Sequence, residues 1–582
     1  MKEIRTFGGR SLVFNVLLVN INLFSLVFFL VLCLPSREAT NMPFALISAL
    51  VFFLSIFGII VFRGKLLFSF VSRILTGTVF IVSGLVKAND PVGFTYKLEE
   101  YLQDGALAYR IKTLFNSPGF SFESLIPYAF WISVCICTLE ILIGVFLLIG
   151  GKIKLMACLS LFIMLFFTFL TWHSSSCDPK AWYLDQNIYQ KESYVTKLKI
   201  REEPENELIE IVSNTPEAVV INEKKHPVCV SDCGCFGDAF GGSLGRSLTP
   251  LESFLKDIFL LYLVTWIVLS LRIIVPNKSR QNIIVILSGI ALTVIFSILF
   301  DWYFPILFFL LMVVSALWMR RMGGGFFSNY WGSILSVILI VLTFITYVNF
   351  FDPVKDFRPY AVGKNLREQM NNGRSGIYEN TIILRNKLNG RLESYDQKTY
   401  AARKDLWNDK KYSFDHMEQK VIANAIPPSI TEQFNPSRSV GYIGKNELKL
   451  NYVREQLVSP DSNEYISMRD WIVEQRRIFL ICAVDLERAN WKKMDKINAL
   501  SAFCRRNKIP AVLITASSET EIKQFMEKQR VEIPIFLNDA TELKTISRSN
   551  PALLFLENGT VKAKYTNTQT PSVKRFAKEI GL

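Results

Sequence analysis

The chain has 582 residues, half of them hydrophobic, with 46 Phe and a mean hydropathy of +0.28. That composition excludes an ordinary soluble enzyme and reads as a polytopic membrane protein with a soluble part. The formal charge of +14 would suit a nucleic-acid binder, but much of the basic excess lies in short loops between apolar runs; topology accounts for such charges, so a lipid bilayer and not nucleic acid is the expected partner.

Long apolar runs recur at Leu12 to Leu34, Phe44 to Phe62, Leu66 to Val86, Ile126 to Ile149, Ile153 to Thr171, Phe254 to Val275, Ile283 to Leu299, Phe304 to Met319 and Trp331 to Phe350. Most approach the roughly 20 apolar residues that cross a bilayer core, so about nine transmembrane helices are expected. The first is read as a retained helix, because Pro35-Ser36-Arg37-Glu38 offers no small-residue cleavage pattern. Lys2, Arg5 and Arg10 precede it. Arg63 and Lys65, then Lys152 and Lys154, then Arg272, Lys278 and Arg280, then Arg320 and Arg321 mark later loops. Every second short loop is thus basic, which predicts a cytoplasmic N-terminus and an exported, periplasmic C-terminal region across a bacterial inner membrane.

Between the fifth and sixth runs the chain reads Cys229-Val230-Ser231-Asp232-Cys233-Gly234-Cys235-Phe236-Gly237-Asp238. Three thiols so close mean a disulfide, redox chemistry or a metal, and on an oxidising side metal thiolates are the weaker reading. Cys177 and Cys229 flank a polar insertion at 178–228, expected to be rich in hairpins, and suggest a structural disulfide closing a loop of about 50 residues. Cys233 and Cys235 form the candidate redox pair, with Gly234 supplying the freedom so short a ring demands. No Lys or Arg lies between Cys229 and Arg246. Thiolate formation would therefore draw on a helix end, His173 or His226, against Asp232 and Asp238.

Two charges fall inside apolar runs. Arg73 lies about 10 Å and Glu140 about 14 Å from the cytoplasmic ends of their helices at ~1.5 Å per residue, so an intramembrane Arg73–Glu140 ion pair is expected; separate solvation of each is the alternative. Cys135 and Cys137 are two residues apart on one helix, face different ways and cannot readily bridge. Core packing is one role for them, and a relay from Cys135 to a quinone is another.

The stretch Arg73-Ile74-Leu75-Thr76-Gly77-Thr78-Val79-Phe80-Ile81-Val82-Ser83-Gly84-Leu85-Val86-Lys87, then Asp90-Pro91, Lys97-Leu98-Glu99-Glu100-Tyr101-Leu102, the run containing Glu140, and Asp232-Cys233-Gly234-Cys235-Phe236-Gly237-Asp238 together resemble the DoxX-like and methylamine-utilisation MauE-like membrane proteins, in their long Bacteroidetes-type version. The resemblance covers roughly residues 66–275. It implies a four-helix membrane unit associated with periplasmic thiol or sulfur redox and with disulfide-dependent maturation of other proteins. Around that unit, residues 1–65 would add two transmembrane helices and 276–351 three more.

Past Asp352-Pro353 the composition turns soluble. Residues 352–470 read as a strand-rich connector. In 471–582, strand-like runs at Ile478 to Val484, Ala511 to Thr515, Ile533 to Leu537, Ala552 to Leu556 and Val561 to Tyr565 alternate with helical segments, which predicts an α/β domain. The order resembles a thioredoxin-like fold with Pro551 at the place of that family's cis-proline. Where the family carries C-x-x-C, this chain has Asp485-Leu486-Glu487-Arg488-Ala489-Asn490-Trp491, and Cys482 and Cys504 read as core residues. Such a domain would bind an exported or membrane protein partner rather than exchange disulfides. Two functions follow: a membrane thiol–disulfide redox or maturation factor working through Cys233 and Cys235, or a non-enzymatic scaffold that presents a redox-silent domain.

Overall fold

The computed structural model of the chain describes residues 9–32, 51, 55–56, 65–190, 218–230, 239, 248–322, 330–371, 377–387, 392–396, 399–400, 403, 406, 411–423, 468–529 and 533–582. Its helical part comprises α1 (Gly9–Leu32), α2 (Lys65–Asn89), α3 (Pro91–Leu102), α4 (Leu107–Phe115), α5 (Ala129–Ile149), α6 (Ile153–Ser175), α7 (Pro250–Leu269), α8 (Ser279–Phe300), α9 (Phe304–Met322) and α10 (Trp331–Phe351). Six of these are long and apolar enough to cross a membrane: α2, α5 with the short helical turn before it, α6, α8, α9 and α10. They match six of the nine expected spans. Of the other three, the first run forms α1 and the sixth forms α7, which has the length but carries Glu252, Lys256 and Asp257 in its first turns. The second lies largely outside the described residues.

Small residues set the register of the central pair. A Cβ on Gly77 of α2 would come within 2.8 Å of the Gly144 carbonyl oxygen, and one on Gly144 of α5 within 2.6 Å of the Gly77 carbonyl oxygen. Only glycine lets the two backbones touch there, which maximises dispersion contact where lipid offers no hydrophobic drive. One turn group further on, Gly84 sits against Ile141 and the Cys137 carbonyl. Phe68, Phe146, Phe308 and Phe309 fill the core around this seam.

Contacts sort the helix ends into two groups. At one end Asn89 binds the Lys355 carbonyl, Ser133 the Pro91 carbonyl, and Tyr101 pairs with Ser174. At the other, the Asn277 amide binds the Ile149 carbonyl, Tyr330 packs on Gly151 and Ser333 binds the Ala316 carbonyl. The first is called the disulfide end here, because Cys177 follows α6 and is bonded to Cys229, with Cα atoms 5.6 Å apart. The insertion between them contributes an antiparallel pair, β1 (Tyr183–Gln190) and β2 (Ala218–Lys225).

The chain does not cross straight from α2 to α5. Asp90 caps the next helix through the Gly93 amide and Pro91 occupies its first turn, the residues a helix start favours. The resulting α3 buries Pro91, Phe94, Thr95, Leu98 and Tyr101 on one face, an i, i+3, i+4, i+7 stripe. It lies across the disulfide end of the bundle.

A separate α/β domain follows. After α11 (Leu366–Asn371), β3 (Ile377–Asn386), β4 (Leu392–Asp396) and β5 (Tyr412–Ala423) form an antiparallel sheet in the order β4-β3-β5. Then come α12 (Met468–Glu474), β6 (Arg477–Ala483), α13 (Met494–Arg506), β7 (Ala511–Thr515), α14 (Glu519–Gln529), β8 (Ile535–Leu537), α15 (Ala540–Ile546), β9 (Ala552–Glu557), β10 (Thr560–Thr566) and α16 (Val573–Glu579). The sheet order is β10-β9-β6-β7-β8, with β6, β7 and β8 parallel and β9 and β10 antiparallel. Ile478, Leu480 and Cys482 pack on one face, Phe479, Ile481 and Ala483 on the other. Strict alternation with both sets buried is what a central strand covered on two sides requires. The Asn550–Pro551 bond is cis.

Candidate functional site

The expected Arg73–Glu140 pair does not form. Arg73 instead donates from Nε to the Leu147 carbonyl (2.8 Å) and from Nη2 to the Leu148 carbonyl (3.2 Å) and Asn277 Oδ1 (3.0 Å). These carbonyls end α5, where the orphan acceptors and the negative pole of the helix dipole favour a cation. Asn277 Nδ2 also binds the Leu148 carbonyl at 2.7 Å. The cause of the miss is register: the Gly77–Gly144 contact sets the end of α5 opposite Arg73 rather than opposite Lys65, which shifts Glu140 more than two turns toward the disulfide end. Equal distances from two helix ends bring residues together only where those ends are level, and Lys65 and Ile149 are not.

Glu140 meets Lys87 there. Lys87 Nζ lies 2.8 Å from both Glu140 oxygens and 2.8 Å from Ser83 Oγ, and both side chains are 3% exposed or less. The ammonium also stands 4.6 Å above the Phe167 ring and 5.6 Å from that of Phe94. Two charges so withdrawn from water hold only because each neutralises the other and donors and acceptors are matched. Around them lie Cys137, one turn before Glu140, and the buried Asp257 of α7. Asp257 accepts from Thr171 Oγ1 at 3.1 Å and pairs with Lys256 at 2.8 Å. Cys135 faces outward while Cys137 is buried, as their spacing requires.

At the last turn of α6, His173 is fully buried beside Tyr101 and Tyr109, and among the described residues neither ring nitrogen has a hydrogen-bond partner. His226, by contrast, is exposed and its Nδ1 lies 2.7 Å from the Ala181 carbonyl. Cys233 and Cys235 lie outside the described residues. The described residues on either side of them, Val230 and Ala239, are buried in the bundle core, and Cys229 is tied to Cys177. A closed loop of this size, 52 residues apart in sequence, restricts the unfolded chain by about 4 kcal/mol in the chain-entropy picture. The hairpin is pinned as well: buried Asp185 of β1 binds Lys112 of α4 and, at 2.6 Å, Lys225 of β2.

The α/β domain brings no thiol to a surface. Cys482 and Cys504 are buried, and burial pushes both thiols up to about 12, so neither supplies a thiolate near neutral pH. Its Pro551 loop is occupied. Arg548 clasps Asp90 with Nε at 2.9 Å from Oδ1 and Nη2 at 2.8 Å from Oδ2. The Asn550 carbonyl accepts from the Asn490 amide and Asn550 Nδ2 donates to the Asp485 carbonyl. Trp491 Nε1 is bound to the Leu486 carbonyl and its ring packs on Phe525.

Sequence reasoning missed Lys87, Asp257 and Asp90. Lys87 follows the apolar run directly and so reads as a helix-end residue in water; the Asp90-Pro91 turn signal, which folds α3 back over it, is the feature that buries it. Comparison of the chain with protein families, with curated proteins and with solved structures finds no match.

Proposed function

We propose that this chain is a bacterial inner-membrane protein of the DoxX-like and MauE-like kind that takes part in periplasmic thiol–disulfide exchange or maturation of exported proteins, with Cys233 and Cys235 as the exchanging pair. The observation that carries the reading is the convergence on one end of the bundle of the anchored flanks of the C-G-C stretch, the Cys177–Cys229 bridge, the buried His173 and the Lys87–Glu140 pair. Among the described residues neither ring nitrogen of His173 has a partner, which leaves it able to take a thiol proton, whereas Nδ1 of His226 is engaged by the Ala181 carbonyl. In the oxidising direction, the loop disulfide would take two electrons and two protons from a substrate dithiol through a mixed disulfide, leaving a substrate disulfide and the Cys233–Cys235 dithiol. A quinone is the candidate acceptor that would reoxidise that dithiol.

The orientation proposed is N-terminus in the cytoplasm and α/β domain in the periplasm, over about nine spans. Lys65, Lys152, Lys154, Arg272, Lys278, Arg280, Arg320 and Arg321 all belong to the end away from the disulfide, the distribution the positive-inside rule assigns to a cytoplasmic face. The α/β domain, read as thioredoxin-like with Pro551 as its cis-proline, serves as scaffold in this scheme; its buried, protonated thiols support that division of labour.

The test is a Cys233→Ser protein expressed in cells and analysed for mixed disulfides on Cys235. Trapped exported proteins, lost in the His173→Gln variant, are expected. If nothing is trapped with either cysteine replaced, and the double serine protein behaves as the parent, the exchange reading falls and the scaffold role covers the whole chain.

A further inference from the structure

We propose that α3 is a lid over the buried Lys87–Glu140 pair and that Arg548 of the α/β domain is the latch that holds it down. This rests on geometry alone and is independent of the thiol chemistry proposed above.

The lid has two faces with separate duties. Its inner face presents Phe94 to the Lys87 ammonium at 5.6 Å and Tyr101 to Ser174 Oγ at 2.8 Å, while the Pro91 carbonyl receives Ser133 Oγ of α5 at 3.0 Å. Its outer face places Asp90, Gly93 and Tyr96 in line at helical spacing, and all three meet the α/β domain. Asp90 takes the bidentate grip of Arg548. The Tyr96 ring lies 4.6 Å from Lys544 Nζ and 5.4 Å from the Arg548 guanidinium carbon. A Cβ on Gly93 would stand 2.3 Å from Asp90 Oδ2 and 2.5 Å from Arg548 Nη2, so the missing side chain is what admits the carboxylate and the arginine together.

The latch reaches the pair by a short path. The Asp90 amide donates to the Lys87 carbonyl at 3.1 Å, and its side chain caps α3 through the Gly93 amide at 2.9 Å. One residue thus joins the end of α2 through its amide, and the start of the lid and the domain outside through its carboxylate. Fork-to-carboxylate geometry gives direction and strength, yet Arg548 and Asp90 keep 19% and 26% of their side chains in water. A pair in that setting is modest, which suits a latch that opens rather than a permanent joint. Opening would bring water to Lys87 and Glu140, whose present pairing depends on its exclusion.

The full-length protein in detergent micelles tests this by hydrogen exchange of the α3 amides together with site-resolved alkylation of Cys137, the buried thiol one turn from Glu140. Arg548→Ala, which leaves the cap of α3 in place, is expected to raise both rates by about tenfold or more through local opening, while β6 and β9 keep parental protection. Arg548→Lys should fall between the two, and Gly93→Val, which displaces the Asp90 carboxylate as well as Arg548, should raise α3 exchange at least as much as Arg548→Ala. Tyr96→Ala, which removes only the ring contact, gives a milder opening in the same direction. Parental rates in Arg548→Ala and Gly93→Val would overturn the latch. Faster α3 exchange with Cys137 still protected would overturn the lid.

Discussion

The two ends of the α2–α5 seam handle buried charge in different ways. At one, Arg73 needs no acidic partner, because the last carbonyls of α5 and the Asn277 amide supply three acceptors within 3.2 Å. At the other, Lys87 stands in the last turn of α2 with its ammonium turned onto Ser83 and Glu140, and Glu140, in the middle of α5, depends on that cation. A lone cation can be absorbed by backbone at a helix end; a charge in mid-helix needs a countercharge. The first arrangement is architectural. The second keeps two titratable groups together in a dry site, which architecture alone would not call for.

That contrast is broken most directly by deleting partners one at a time. Lys87→Met leaves a buried carboxylate unpaired and is expected to cost about 3–5 kcal/mol, whereas Lys87→Met with Glu140→Leu should recover most of the loss. Arg73→Met strands only carbonyls, one of which Asn277 still serves, and should cost about 1–3 kcal/mol. Arg73→Met with Glu140→Leu should then be additive, since the two do not touch. Thermal unfolding of the purified variants in one detergent checks all of these; coupling between Arg73 and Glu140 as large as that between Lys87 and Glu140 would refute the assignment.

The register that creates the contrast can be tested next. Gly144→Ala forces a methyl against the Gly77 carbonyl oxygen, 2.6 Å away, and backbone cannot yield as a side chain can. An overpacking cost of about 1–3 kcal/mol is expected, against about half a kcal/mol or less for an alanine at an exposed position of α10 such as Thr343→Ala. Equal melting temperatures for Gly144→Ala and the parent would mean that the helices are free to slide.

These residues also mark how far the sequence could be read. Period and length gave the apolar helices and the α/β alternation, because both follow from local pattern: β7 spans the expected Ala511–Thr515. The flanking of a polar insertion by Cys177 and Cys229 pointed to a bridge that is present. The ion pair went wrong because depth along one helix says nothing about the offset between two, and that offset is fixed by a contact between Gly77 and Gly144 that no local pattern announces. Lys87 was hidden for the same reason. Its burial depends on α3, an element too short to register as a span, and on the long-range hold of Arg548, 458 residues from Asp90.

The smallest effect concerns the junction outside the membrane, where acid should loosen what the buried pair does not control. Burial alone would raise the Asp356 carboxyl, but Arg358 and Lys564 more than offset it and hold it well below the usual carboxylate range. Asp90 is likewise lowered, burial being outweighed by Arg548. Arg358 binds Asp356 through Nε at 2.7 Å and reaches Asp352, and Lys564 of β10 binds Asp356 at 2.8 Å. Carboxylates depressed in the folded state contribute fully above their unfolded value of about 3.9 and lose that contribution as pH falls toward the folded one. Unfolding of the α/β domain should therefore be flat from about pH 8 to 5 and weaken below about 4. Asp356→Asn should lower stability at neutral pH and narrow its gap to the parent on acidification. A transition near pH 6 would instead point to a histidine or an unrecognised partner and would detach the junction from the Asp356–Arg358–Lys564 cluster.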